Sequence, residues 1–344
     1  MIPLSILDLA PVAEGRTPAD TFDHMLDLAR LGEALGYRQF WLAEHHNMPA
    51  VAATNPPVLI GLVAGATGRI RVGSGGVMLP NHAPLVVAEQ FALLEAAFPG
   101  RIDLGIGRAP GSDPVTSYAL RHGAGGVSDE AVTHFPEYVD NVLAMMEPEG
   151  VGLGIQGRTY PLRATPQATT VPTIWLLGSS DYSARLAAEK GMPYVFAHHF
   201  SGSGTAEALA LYRDNFRPSP ELAEPRTFLT VNAAVAETAA DARRLALPQL
   251  QAMLALRTGG ELLPQRLIED AEKLELPQAH LDLMDAMAQR WVIGDPETAR
   301  GRIEELAATY DIDEVMVHPV AGAYSGTEPT SSPARERTLE LLVG

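Results

Sequence analysis

Two hydrophobic periods alternate along the chain. From Thr17 the segment TPADTFDHMLDLARLGEALGY places Phe22, Met25, Leu26 and Ala29 at three- and four-residue spacing, the stripe of an amphipathic helix. Thr17 is placed to cap that helix, Pro18 to occupy its first position, Asp20 to close a capping box and Gly36 to end it. The apolar run QFWLAE follows and is predicted as a short buried strand. The same order of helix, stop and strand returns in ATGRIRVGSGG, AAFPGRIDLGIGR, AAEKGMPYVFAHH and TYDIDEVMVHP. ILDLA, TIWLLG and TFLTVNAAVA bring the expected strands to eight. Strands alternating with helices imply parallel βαβ units, and eight units predict a (β/α)8 TIM barrel of the α/β class, one domain spanning residues 1–344.

Four stretches are too polar or too rich in Gly, Pro and Ser for this grammar and are predicted as surface loops: Arg108 to Asp129, Pro148 to Pro172, Arg217 to Arg226, and Gly322 to Arg335. A helical excursion over roughly residues 247–290 interrupts the approach to the last unit and is a lid candidate over the catalytic face. GLGIQG, Gly152 to Gly157, matches a dinucleotide fingerprint in letters, but no strand precedes it and RTYPL follows in place of a helix.

Composition narrows the function classes. The formal net charge of −17 repels phosphate backbones and anionic lipid, so neither nucleic acid nor a membrane surface is an expected partner. Any anionic ligand must be held by local donors. The absence of cysteine removes thiolate metal sites and disulfides and makes the cytoplasm the default compartment. The longest apolar run, PPVLIGLVAGAT, is too short to cross a bilayer, and the N-terminus lacks the features of a signal peptide.

In a (β/α)8 barrel, chemistry sits at the carboxyl ends of the strands. There the second strand delivers Glu44, His45 and His46, the third Ser74, Gly75 and Gly76, and the fourth Gly107 and Arg108. The fifth delivers Gly178, Ser179 and Ser180, the sixth His198 and His199, and the eighth His318. A single strand-end histidine is more often structural than catalytic; five at one rim favour a site. Alternation sends Glu44 and His46 one way and His45 the other. GSSDYSARLAAEKG has the form of an anion site, with a helix capped by Ser179 or Ser180 and Ser183 one turn in, although any capped helix uses serine. Arg108 closing a strand in an acidic protein fits a bound anion or, alternatively, a salt bridge to the next loop. Adjacent glycines in RVGSGGVMLP mark a bulge or a close approach by a ligand.

WLAEHH, GSGGVMLPNHAPLVVAEQ, GRIDLGIGRAPG and LLGSSDYSARLAAEKG together resemble the bacterial luciferase-like flavin-dependent monooxygenase family. The similarity runs over nearly the whole chain apart from the lid candidate. It implies a (β/α)8 barrel, often dimeric, that uses reduced FMN and molecular oxygen to oxidise a small organic substrate through a flavin peroxide. By the resemblance, His45 is the active-site histidine, supported by Glu44 and His46. Arg108, Ser179, Ser180 and Ser183, beside Gly178, match positions that hold the FMN phosphate. Gly75 and Gly76 lie where the family has a non-proline cis peptide beneath the isoalloxazine ring, Ser74 beside them is a further cofactor-binding candidate, and His198 and His199 are candidate substrate contacts. No nicotinamide fingerprint is present, so a separate flavin reductase is the expected partner, along with a second copy in a homodimer. Three alternatives remain open at this point: a deazaflavin-dependent oxidoreductase on the same scaffold, a flavin-binding protein without turnover, and a metal-dependent hydrolase using His45, His46, His198, His199 and His318 as ligands.

Overall fold

A computed structural model of the chain describes residues 2–108, 114–121 and 130–344. Eight parallel strands follow one another around a closed ring: Leu4–Asp8 (β1), Gln39–Leu42 (β2), Arg71–Ser74 (β3), Ile102–Gly107 (β4), Thr173–Gly178 (β5), Tyr194–Phe196 (β6), Thr227–Val235 (β7) and Val315–Pro319 (β8). β8 pairs back onto β1 with Leu4 opposite Val315, which closes the barrel. All eight strands expected from the apolar runs are present, because each run is short, buried on both faces and bounded by a helix stop. The first helix, Pro18–Leu35, starts at Thr17 with a complete capping box to Asp20 and ends on Gly36 at φ 85°.

Side-chain alternation sorts each strand between two cores. Leu7, Trp41, Trp175, Val195, Phe228 and Met316 point inward and plug the middle of the barrel. Trp175 and Phe228 meet edge to face at 5.0 Å, and Trp41 meets Trp175 at 5.7 Å, a favoured aromatic geometry. Ile6, Phe40, Leu104, Val231 and Val317 point outward into a second core shared with Met25 and Leu28 of the first helix and Phe91 of helix Pro84–Ala97. Moving two residues on from the plug toward the carboxyl ends, Phe228 gives way to Thr230 and then Asn232, and Met316 to His318. The lining therefore changes from apolar to polar at one mouth.

β3 and β4 approach too closely for side chains at several positions. A Cβ on Gly105 would lie 2.1 Å from the Ser74 carbonyl oxygen, and one on Gly76 would lie 2.8 Å from the Gly105 carbonyl oxygen. Ser74 fills the remaining gap, its hydroxyl donating to the Gly105 carbonyl and accepting from the Gly105 N–H, both at 2.9 Å. Gly105→Ala is therefore expected to destabilise the protein by about 3 kcal/mol, read as a lower urea midpoint with unchanged slope, because backbone cannot yield as a side-chain tip can.

The excursion begins earlier than the sequence indicates. Helix Ala239–Thr258 starts at Thr238, whose hydroxyl accepts from the Asp241 N–H, and it runs through Pro248. With helices Ile268–Glu272 and Gln278–Ala288 it forms a core of its own: Leu245, Leu250, Leu254, Ile268, Met284, Met287 and Trp291 pack on Ala234, Ala236, Val320 and Ala321. Those last four residues belong to, or directly follow, the carboxyl ends of β7 and β8. The backbone of Gln265 then bonds to Val12 and Glu14, beyond the end of β1. The excursion thus crosses the carboxyl side of the barrel.

Two expected loops contain regular structure. Pro148 to Pro172 holds an antiparallel hairpin, Val151–Ile155 with Arg158–Leu162, turning at Gln156 (φ 50°) and Gly157 (φ 78°). GLGIQG is the strand and turn of this hairpin. Its glycines hid the alternation, which places Leu153 opposite Tyr160 and Ile155 opposite Arg158 on one exposed face. Within Arg108 to Asp129, Pro114–Arg121 is helical; 109–113 and 122–129 lie outside the described residues. The apolar run from Pro56 is a helix, Pro56–Ala66, and no helix among the described residues is long and apolar enough to cross a membrane.

Candidate active site

At the end of β2 the chain divides its three ionisable residues as alternation requires. Glu44, 2% exposed, accepts from Nε2 of His46 at 2.8 Å and Nε2 of His82 at 2.7 Å on one oxygen, and from the Met78 N–H at 2.9 Å on the other. Burial alone raises its pKa, but the hydrogen bonds from His46 and His82, the field of His82 and the Met78 N–H outweigh burial and hold the carboxyl down at about 2. Glu44, His46 and His82 have ligand atoms within 4.8 Å of one another, yet each is already committed to this network. The ligand set of five histidines required by the hydrolase alternative is not assembled.

His45 turns the other way. Its Nδ1 is sealed without a partner, and burial lowers its pKa to about 4, against the opposing pull of Glu44. It lies close enough to His199 and His318 for its charge to act on both. The His199 and His318 rings are 6.4 Å apart and nearly perpendicular. Burial takes His199 to about 3 and His318 well below its ordinary value. Three of the strand-end histidines thus gather at the polar mouth as neutral rings at pH 7.

His198 does not join them. It opens the one-turn helix His198–Ser201, and its Nδ1 sits 2.7 Å from the Thr205 hydroxyl while its ring packs 5.8 Å from Tyr310 in the outer layer. Within that turn the two neighbouring side chains point apart, His198 to Thr205 and His199 to Thr230 on the inward side of β7.

Arg108 follows β4 directly, and the adjoining β5 leads into helix Asp181–Lys190. The pairing of Gly107 with Leu177 brings Arg108 to the start of that helix, where its guanidinium carbon lies 3.8 Å from the centre of the Tyr182 ring. Ser180 is the N-cap residue and its hydroxyl makes no capping bond. Ser179 and Ser180 are exposed on the rim, whereas Ser183 is buried against Gly178, whose Cβ would come within 2.6 Å of the Ser183 hydroxyl. The guanidinium of Arg108, the hydroxyls of Ser179 and Ser180, which have no partner among the described residues, and the N–H groups of the first helical turn therefore lie at the same part of the rim, donor types that suit an anion. The Gly75–Gly76 peptide is cis, as the resemblance implies. A Cβ on Gly75 would come within 2.7 Å of the tip of Leu7 and into ordinary contact with Trp41 at 3.5 Å, so that side of Gly75 faces the barrel plug. Gly107 differs: the nearest atom to a Cβ would be the Val77 carbonyl oxygen at 3.9 Å.

His82, Thr230, Asn232 and Tyr182 belong to these networks and did not stand out in the sequence. Thr230 and Asn232 were legible in principle, as inward positions two residues apart on a recognised strand. His82 follows the single turn Leu79–Asn81, which with the two-residue strand Val77–Met78 before it leaves no periodic signal.

Fold and site together define a (β/α)8-barrel protein with an arginine and a pair of serines beside a histidine-lined mouth. Residues 2–311 match the model of the luciferase-like monooxygenases. The chain is 41% identical to a luciferase-like monooxygenase of Escherichia coli K12 over 92% of its length and 91% of that protein's. It is 33% identical to the N-acetyl-S-alkylcysteine monooxygenase of Bacillus subtilis, over 92% of each. The crystal structure of apo-MsnO8 superposes with a TM-score of 0.84 at 33% identity, covering 100% of this chain and 98% of that one. At 18% and 14% identity, the fold is also that of the FMN-bound oxygenating constituent of a Pseudomonas putida 3,6-diketocamphane monooxygenase (TM-score 0.70, 100% and 97% covered) and of an F420-dependent secondary alcohol dehydrogenase (TM-score 0.66, 99% of each). The chain belongs to the luciferase-like monooxygenase family.

Proposed function

We propose that this protein binds reduced FMN, supplied by a separate flavin reductase, and uses it with molecular oxygen to oxidise a small organic substrate. The observation that carries this reading is the group of Arg108, Ser179 and Ser180 placed at the same rim as His45, His199 and His318. The residues fit the cofactor. Cationic and hydroxyl donors suit a phosphomonoester, and the open space beside Gly107 leaves backbone without a side chain for a flat ring to approach. When bound, reduced FMN supplies the electrons that activate oxygen.

The chain's own part is binding, orientation and proton control. Arg108 and Ser180 would hold the phosphate, and the excursion across the carboxyl side would limit water at the mouth. His45, neutral at pH 7, would serve as base and hydrogen-bond partner, with no charge to disturb the reacting atoms. A deazaflavin also carries a phosphate, so the two cofactors are separated by affinity. The direct test supplies reduced FMN and isotopically labelled oxygen to the purified protein with a panel of thioethers and ketones. Label entering an organic product is the expected result; products formed only with reduced deazaflavin, and without label, would replace this reading with the hydride-transfer one.

His45→Ala is expected to keep reduced FMN affinity within about threefold while lowering turnover by roughly 10²- to 10⁴-fold, the usual contribution of a positioned acid or base. Unchanged turnover would remove His45 from the reaction.

A further inference from the structure

Two residues on β7 fix the state of the two histidines they touch, and the hydrogen-bond chain shows how. The amide nitrogen of Asn232 donates to the carbonyl oxygen of His199 at 3.0 Å. That partner can only accept, so Asn232 must turn its Oδ1 toward Nδ1 of His318, 2.9 Å away. Oδ1 can only accept as well, so Nδ1 of His318 carries the proton. The Thr230 hydroxyl donates to the Phe196 carbonyl oxygen at 3.2 Å, and its single proton is then committed. With that proton on the Phe196 carbonyl, the contact of 2.6 Å between the hydroxyl and Nδ1 of His199 is an N–H donation from the ring, the arrangement that uses both contacts. Both rings are held with the proton on Nδ1 and a lone pair on Nε2.

Neither Nε2 has a partner among the described residues, and neither is sealed as Nδ1 of His45 is. Thr230 and Asn232 both lie on the inward side of β7, two residues apart, so one strand sets both tautomers.

We propose that Thr230 and Asn232 are positioning residues that lock His199 and His318 as Nδ1–H tautomers, so that the mouth presents two imidazole Nε2 acceptors to a bound molecule carrying an N–H or O–H donor. The proposal rests on the reading that this mouth is the active site, and it adds the chemical class of what docks there. The donor is either the N–H edge of the flavin or a hydroxyl or amide group of the organic substrate.

The tautomers are read by nitrogen NMR of the protein with labelled histidine at pH 7. Unprotonated Nε2 on both His199 and His318 is expected. Thr230→Val should release His199 to a mixture of tautomers, and Thr230→Ser, which keeps the hydroxyl, should restore the original one. A protonated Nε2 on both rings of the wild type, or no change in Thr230→Val, would overturn the proposal; the wild-type spectrum decides even if the variant fails to fold. Donor recognition is probed calorimetrically with phenol and with anisole, which has the ring but no O–H. Phenol should bind at least about tenfold tighter, and Thr230→Val should narrow the difference, because Asn232 still holds His318. If FMN abolishes the preference, the flavin occupies the acceptors; if the preference survives with FMN bound, they belong to the substrate. No preference in either state contradicts the proposal. Failure to bind FMN would sink the functional reading alone, since tautomers and phenol preference are measured without it.

Discussion

Replacing Arg108 by alanine is expected to weaken reduced FMN by about 30- to 100-fold while leaving reduced riboflavin within about threefold of its wild-type affinity. The two ligands share the ring and the ribityl chain and differ in the phosphate. Arg108 stands at the end of β4 with its guanidinium over Tyr182, and the helix that carries Tyr182 begins at Ser180. The protein's net charge of −17 opposes any dianion, so local donors must supply the attraction, and a guanidinium hydrogen-bonded to phosphate is the strongest donor within reach. Arg108→Lys should recover part of the loss, because a lysine restores the charge but not the planar fork. Equal losses for FMN and riboflavin would show that Arg108 supports the ring side of the pocket or the fold, and not the phosphate.

Acidification is expected to unfold the protein well before its carboxylates titrate. Burial lowers His24, His45 and His198 to about 4 and His199 to about 3, and His318 lies well below its ordinary value. In the unfolded chain each takes a proton near pH 6.5. Between pH 6.5 and about 4 the unfolded state therefore binds up to five protons that the folded state refuses, and stability falls as pH falls. A shift from 6.5 to about 4 is worth on the order of 3 kcal/mol per histidine, so a few of them together approach the roughly 5–15 kcal/mol that holds a domain folded. Glu44, held at about 2 by His46 and His82, acts lower, where its contribution is lost as pH drops from about 4.5 to 2. Urea midpoints measured at pH 7.5, 6 and 5 should drop steeply in that order. A flat profile would mean that these rings are hydrated or already protonated in the folded protein.

The barrel was legible because each buried strand is a compact apolar run followed by glycine or by a polar strand-end residue, and because caps such as Thr17 with Asp20 mark helix starts without reference to tertiary structure. The hairpin at Val151–Leu162 was hidden for the opposite reason. Gly152, Gly154 and Pro161 lower strand propensity, and its apolar positions lie on an exposed face that no core pattern announces. At the site, alternation correctly separated His45 from Glu44 and His46. It could not say that His46 would share Glu44 with His82, which lies 36 residues on in sequence and meets it only through the turn after β3. The opposite directions of His198 and His199 follow from the one-turn helix they begin, a feature too short for periodicity to reveal.

The most direct test is a crystal structure of the protein with FMN. The phosphate is expected against the guanidinium of Arg108 and the hydroxyl of Ser180, with the ring over Gly75 and Gly76 and its edge toward His45. A phosphate bound elsewhere, or a ring that leaves this rim empty while FMN is present at saturating concentration, would contradict the account.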